Sequence, residues 1–419
     1  MFLRLLKGRP LFAILAAGVP LIEFLARQSG GPGPSIAIVR NPFAAIAAAT
    51  VFCRYIICDR RGLSRNWVIY ALPIAMIAGA WMTPSGEPRA VQTMHIMFAV
   101  GVLGAAAFVV AAAKSKTRAA KADYLSRLID ALLVPVAASM LSFGLSATSR
   151  VNPVYDARIF AFEEILGPQF SLIGVRSYAL LAPLSRVATA CYDMVAFCLV
   201  LVAAAQATLK REREVLDAAV LAGAIGFALY FVCPVVGPLQ AFPSIYPEAL
   251  PPVPVGAPLL TVAVGPPRNG MPSLHTVWAL LIWFNARPLR SSLRTAVRIS
   301  AVMTLWAAIG LEDTHWVTDM VVGVPLAVAI QSAAVAAEDG RRRWSDVIVC
   351  ALITGAWLIG FRLSTPILRL PMPIAWAAVI ATTCWPLWRQ HLQSPKTSLS
   401  DRFSPHRDML ARQLPWSQA

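Results

Sequence analysis

Two histidines, one with an aspartate close behind it, are the residues in this chain best suited to chemistry. His275 closes Met271-Pro272-Ser273-Leu274-His275, and His315 opens His315-Trp316-Val317-Thr318-Asp319. Imidazole is the side chain whose proton moves most easily near neutral pH. Asp319 follows His315 by four residues, which puts both on one face of a helix's first turn. A carboxylate there can accept a hydrogen bond from one imidazole nitrogen. That fixes the tautomer and leaves the other nitrogen to attack, the part played by the third member of a nucleophilic triad. His275, on a separate helix, can give a proton to a leaving oxygen. Each motif opens an apolar run, so two helix N-termini would bring partial positive charge and backbone N–H groups to one place, favouring an anion such as phosphate. Arg268 is the only basic residue between Gly237 and Met271, and a guanidinium grips phosphate oxygens in a fork. Ser273 is a second candidate phosphate ligand. Glu312, Asp313 and Asp193 are candidates for holding the hydroxyls of an acceptor. The chemistry these residues suit is phosphoryl transfer through a phosphohistidine.

The elements that must position them are membrane helices. Of the 419 residues 58% are hydrophobic and 14% charged, and mean hydropathy is +0.64; a soluble chain carries charge at about a quarter of its positions. The apolar residues gather in windows of roughly 17–23, the length that crosses a hydrocarbon core. We count spans at 10–26, 42–58, 66–82, 94–113, 128–147, 185–207, 216–236, 272–286, 298–311, 315–337, 347–361 and 373–388. Alternate loops between them hold most of the 37 basic residues, among them Arg60, Arg61, Lys114, Lys116, Lys210, Arg211, Arg290, Arg294, Arg341 and Arg342. The positive-inside rule then puts both termini in the cytoplasm and both histidines at the outer face. The expected class is an all-α polytopic membrane protein, with four helices in 1–127, a six-helix catalytic core in 128–337, two helices in 338–394 and a cytoplasmic tail in 395–419.

The net charge of +16 in another context would point to nucleic acid. Here the positive charge sits in short loops between spans, where topology and anionic head groups account for it. No zinc-finger spacing or aromatic–basic platform supports a nucleic-acid partner. The expected partners are lipid substrates and the bilayer, and oligomeric state is left open. The seven cysteines lie in or beside apolar runs without a CxxC pair, which suits small buried residues. No carboxylate-rich metal cage is visible, so no metal or cofactor is expected. The stretch Arg4 to Ala26 looks like the start of a signal peptide but lacks a small-x-small cleavage site, and reads as a retained span. Between Tyr155 and Gln169, Ile159, Phe160, Phe162, Ile165 and Leu166 are set against Asp156, Arg158, Glu163 and Glu164, which predicts a helix lying at head-group level.

The two motifs resemble those of the type 2 phosphatidic acid phosphatase superfamily, whose signature is a PSGH-like element followed by a histidine with aspartate four residues on. The form Gly270-Met271-Pro272-Ser273-Leu274-His275 looks like that of inositol phosphorylceramide synthases and related bacterial proteins. Cys233-Pro234-Val235-Val236-Gly237-Pro238 resembles that group's Pro-Val-x-Gly-Pro stretch. The resemblance covers roughly residues 128–337. It implies His315 as nucleophile, Asp319 as its partner, His275 as general acid and base, and Arg268 as phosphate ligand. The expected location is a bacterial inner membrane, with the site on the outer face where the loop charge places it. The chain departs from the family in two places. There is no Lys-x6-Arg-Pro element, since Arg9-Pro10 and Arg287-Pro288 lack the lysine. Ala308 and Ile309 stand where Ser-Arg would precede the second histidine. The resemblance therefore implies transfer of a phosphate-bearing head group to a polyol, ceramide-like or polyprenyl acceptor. The alternatives are hydrolysis of a lipid phosphate, a transporter or flippase, and a non-catalytic scaffold.

Overall fold

The computed structural model describes residues 42–58, 89–206, 212–246, 258–263, 267–287, 289–311, 315–339, 343–363 and 367–393, with a few isolated positions before residue 80. The expected spans 10–26 and 66–82, the candidates Glu312 and Asp313, and the tail 395–419 lie outside the described residues. Those described are helical, with one isolated antiparallel bridge, Val154 to Leu260. The helices are α1 (Pro42–Cys58), α2 (Arg89–Ala113), α3 (Arg118–Thr148), α4 (Asp156–Leu166), α5 (Phe170–Leu180), α6 (Ala182–Asp193) and α7 (Val195–Gln206). They continue with α8 (Glu212–Val232), α9 (Leu274–Asn285), α10 (Ser291–Gly310), α11 (Val317–Asp339), α12 (Trp344–Leu363) and α13 (Met372–Gln393).

Among the described residues six helices are long and apolar enough to cross a membrane: α2, α3, α8, α10, α11 and α12. The pair α6–α7 makes a seventh if its bend of 58° is counted within one span. Each has the length that a bilayer core demands of an α-helix, which supports an integral membrane protein. The expected single span over 185–207 is therefore broken, at Asp193–Met194, and α5 precedes it as a further short helix that the apolar pattern did not reveal.

The main apolar core joins α3, α7, α8, α9, α10 and α11, with Val202, Ala218, Ala222, Val277, Leu281 and Ala327 fully buried. Small residues let helices approach where lipid tails supply no hydrophobic drive. One polar cluster fixes the register of three of them. Asn285 Nδ2 donates to Gln331 Oε1 at 2.6 Å, and Gln206 Nε2 donates to Asn285 Oδ1 at 3.2 Å. Such interhelical bonds contribute about 0.6–2 kcal/mol each in a membrane. Because α9 and α11 run parallel in this scheme and α10 returns between them, His275 and His315 fall at the same end of the bundle.

A second core lies at that end. Phe160 and Phe162 of α4 pack against Trp316, Trp357 and Phe361, with Met271, Cys233 and Val235 alongside. Phe160 meets Trp316 at 5.8 Å and Phe162 meets Trp357 at 5.3 Å. The helix expected to lie flat at the head groups is instead enclosed. Asp156 and Glu163 are seven residues apart, so they share a face with Ile159 and Phe160, and that face turns inward. Arg158 points elsewhere and donates to the Phe361 carbonyl at 3.0 Å, closing the end of α12. Trp376 of α13 donates to the Leu166 carbonyl at 3.0 Å. The last two helices thus buttress α4 and, through it, the start of α11.

Candidate active site

His315 lies two residues before the start of α11 and is 2% exposed. Its Nδ1 lies 3.0 Å from the Gly270 carbonyl oxygen and 3.4 Å from Asp319 Oδ2. A carbonyl only accepts, so Nδ1 carries the proton and Nε2 keeps its lone pair. Asp319 therefore shares the orienting role with a backbone oxygen, whereas the sequence assigned it to the carboxylate alone. Asp319 Oδ2 also accepts the Trp316 N–H at 2.9 Å, and its Oδ1 is buried without a partner. Gly270 has to be glycine for this approach: a Cβ there would stand 2.5 Å from Val235 and 3.2 Å from Asp319 Oδ2. The Ser273 N–H donates to the Asp319 carbonyl at 3.1 Å, so the two motifs are joined by backbone as well as by side chains.

His275, in the first turn of α9, is only partly buried. Its ring centroid is 6.2 Å from that of His315. Tyr192, the penultimate residue of α6, stacks on it at 3.6 Å and 17°. The bend after Asp193 brings this tyrosine over the histidine; the sequence sets Tyr192, with Asp193 and Arg186, near the outer end of the sixth expected span and within reach of the site, but does not predict the stacking. Tyr230 is an aromatic the sequence did not single out; its phenol lies against the Leu274 backbone, near Tyr192 and Asp319. Asp193 itself is exposed at the bend. Ser273 is the N-cap of α9, its Oγ accepting the Thr276 N–H at 3.3 Å.

Arg268 is fully buried, and its guanidinium serves the loop. Nε donates to the Val151 carbonyl at 3.0 Å, and Nη2 to those of Val262 and Ala263 at 3.2 and 3.1 Å. Burial lowers its pKa from the ordinary arginine value, and Asp156 raises it in part. This geometry favours a tie that holds the loop leading to Gly270 over the phosphate grip expected from sequence. Leaving such carbonyls buried and unpaired costs on the order of 1–3 kcal/mol each. Arg268→Ala should therefore lower the melting temperature of the micelle-solubilised protein by several degrees, and an unchanged melt would rule the tie out.

The start of α11 also differs from expectation. Its first N–H groups do not stand open for an anion. Trp316 N–H goes to Asp319, Val317 N–H to Ser171 Oγ at 3.2 Å, and Thr318 N–H to Glu163 Oε1 at 2.9 Å. Glu163 and Asp156, read from sequence as the polar side of a surface helix, are the largest omission. Asp156 Oδ1 accepts from Gly237 N–H and Trp316 Nε1, both at 2.9 Å, and Oδ2 accepts from Val236 N–H at 3.1 Å. Gly237 takes φ of 92°, a left-handed turn that glycine makes without strain.

Both carboxyls are pushed up to about 7, chiefly by burial and further by the Asp319 charge, against hydrogen bonds that pull them down. A folded-state value above the unfolded one gives stability that is full in acid and lost as the pH rises through the folded value. The melting temperature should accordingly fall as the pH is raised from about 5 to about 8; a flat or rising profile over that window would contradict the burial of these two groups.

Residues 157–333 match the family model described as the PAP2 superfamily. No curated protein and no solved structure matches the chain. The matched segment supports placing the chain in that superfamily, and with the apolar helices it suggests phosphatase or phosphotransferase activity on membrane lipids.

Proposed function

We propose that this protein is a membrane phosphotransferase that moves a phosphate-bearing head group from one lipid to a hydroxyl acceptor through phospho-His315. The observation that carries the reading is the bond from His315 Nδ1 to the Gly270 carbonyl, with Asp319 beside it. It commits the proton to one nitrogen and leaves a lone pair on the other. In the first step Nε2 attacks phosphorus, an N–P bond forms, and the P–O bond to the departing lipid breaks. His275 gives its proton to that oxygen. In the second step an acceptor hydroxyl attacks phosphorus, His275 takes its proton, and the N–P bond breaks with its electron pair returning to Nε2. Ring centroids 6.2 Å apart leave room for a phosphoryl group between the two imidazoles.

Transfer is favoured over hydrolysis by the burial of His315, since a nucleophile shielded from bulk water protects its intermediate from it. The subgroup reading, an enzyme like the inositol phosphorylceramide synthases, rests on the Gly270–His275 and Cys233–Pro238 stretches. Polyol, ceramide-like and polyprenyl alcohols are its candidate acceptors. The six spans expected between 128 and 337, which correspond to α3, the α6–α7 pair, α8, α9, α10 and α11, form the catalytic core in this account, within a chain of about twelve spans. Arg290, Arg294 and Arg298 start α10, whose other end approaches the histidines, so the charge bias supports a site on the outer face and cytoplasmic termini. Incubating the purified protein with radiolabelled phospholipids, with and without such acceptors, tests the reading. A new labelled lipid that depends on acceptor supports transfer; release of free phosphate regardless of acceptor assigns hydrolysis instead.

A further inference from the structure

We propose that Asp156 and Glu163 of α4 are positioning residues for this reaction, gripping the start of α11 and thereby setting His315 and Asp319 against His275. The inference rests on the phosphohistidine reading and deepens it. A helix normally carries its own cap, a Ser, Thr, Asp or Asn just before its first turn. The residue in that place before α11 is Trp316, which has no acceptor. The cap arrives from 155 residues earlier instead: Glu163 Oε1 takes both the N–H of Thr318, at 2.9 Å, and its hydroxyl, at 3.1 Å. Glu163 Oε2 takes the Ser171 hydroxyl at 2.8 Å, and Ser171 Oγ takes the N–H of Val317. Asp156 meanwhile holds the Trp316 indole and the Val236–Gly237 turn. Two buried carboxylates thus fix three consecutive residues, 316 to 318, lying between His315 and Asp319.

Their retention fits a positioning role. Burying a carboxylate is costly even when it is hydrogen-bonded, and the apolar surroundings of α4 would accept a hydrophobic helix. The charged groups facing the pair are Asp319, toward both, and Arg268, toward Asp156. The two carboxylates also differ in a way that an experiment can read. All three partners of Asp156 are N–H groups, which cannot accept, so an Asn there must turn its NH2 against a donor or lose a bond. Glu163 accepts a hydroxyl at each oxygen, from Thr318 at Oε1 and from Ser171 at Oε2. A Gln there can keep both Thr318 bonds through its oxygen and donate to Ser171 Oγ with its nitrogen.

The test uses the full chain in detergent micelles with its five histidines labelled with nitrogen-15. The His315 signals are identified as those lost in His315→Gln. In the unsubstituted protein they should show one tautomer, protonated at Nδ1. Glu163→Ala and Asp156→Asn are expected to shift those signals toward an averaged tautomer, while Glu163→Gln retains the original pattern. Unchanged His315 signals in Glu163→Ala, or equal changes in the Ala and Gln variants, would overturn the proposal. Should the Ala variant not fold, Ser171→Ala decides: it must move the His315 signals in the same direction, and their constancy would count against the grip. The readout needs no turnover. Full activity in a His315→Ala protein would remove the phosphohistidine reading alone, and a silent Glu163→Ala spectrum would remove the positioning role alone.

Discussion

Replacing His315 with Ala should reduce turnover to background, a loss on the order of 10⁴ or more, as expected for a covalent nucleophile. No neighbouring side chain can substitute. Asp319 is fully buried, and its Oδ2 is held by the Trp316 N–H and the His315 ring, so its carboxylate is not presented to a substrate. His275 stands on another helix with Tyr192 stacked over it. The measurement is transfer of label from radiolabelled phospholipids by the purified variant, beside a melting curve showing that it is folded. The fold should tolerate the change, because His315 contributes a hydrogen bond to Gly270 and a longer contact to Asp319, each worth about 1 kcal/mol net or less. A folded His315→Ala protein with full turnover would remove the mechanism.

Replacing His275 with Ala should cost about 10²–10⁴ in turnover, the usual range for a positioned acid or base. Its signature lies in the leaving group. A lipid alkoxide needs a proton as its bond to phosphorus breaks, whereas a nitrophenolate departs without one. The deficit of His275→Ala should therefore be large on a phospholipid donor and small on an activated aryl phosphate. If the deficit is equally large on both, His275 serves binding or packing, and another group supplies the proton. Tyr192 offers a related control. Its removal uncovers one face of His275 without deleting the acid, so Tyr192→Ala should fall between the unsubstituted protein and His275→Ala on the same donors.

The candidate catalytic residues were legible because their information is local. A histidine with aspartate four residues on reports a helical turn, and Pro-Ser-Leu-His reports a helix start; the structure brings both histidines and Asp319 together. What surrounds them was not legible, for identifiable reasons. The bend between α6 and α7 has no glycine or proline at Asp193–Met194, so the apolar run passes through it unmarked. Arg268 looked free because its partners are carbonyls of Val151, Val262 and Ala263, and backbone acceptors leave no trace in a sequence. The open anion site expected at α11 is closed by Glu163 and Ser171, whose approach is a tertiary fact. One clue to the buried carboxylates is present in the sequence. Asp156 and Glu163 share their helical face with Ile159 and Phe160. Charges inside an apolar stripe, in contrast to charges opposite one, point to buried carboxylates with a task.

The two C-terminal helices show a similar limit. They lie beyond the segment that matches the superfamily, yet Trp357 and Phe361 of α12 pack on Phe162, and Trp376 of α13 binds the end of α4. Their contribution runs through α4 to the residues that flank His315.

The central claim is that phosphorus is carried on His315. The direct measurement is to mix the protein with radiolabelled phospholipids, quench in alkali where phosphohistidine survives, digest, and locate the label by mass spectrometry. The account requires an acid-labile adduct, the head group joined through its phosphorus, on the peptide bearing His315, absent from His315→Ala and discharged when acceptor is added. Turnover without label on that peptide, or label that settles on another residue, would contradict it.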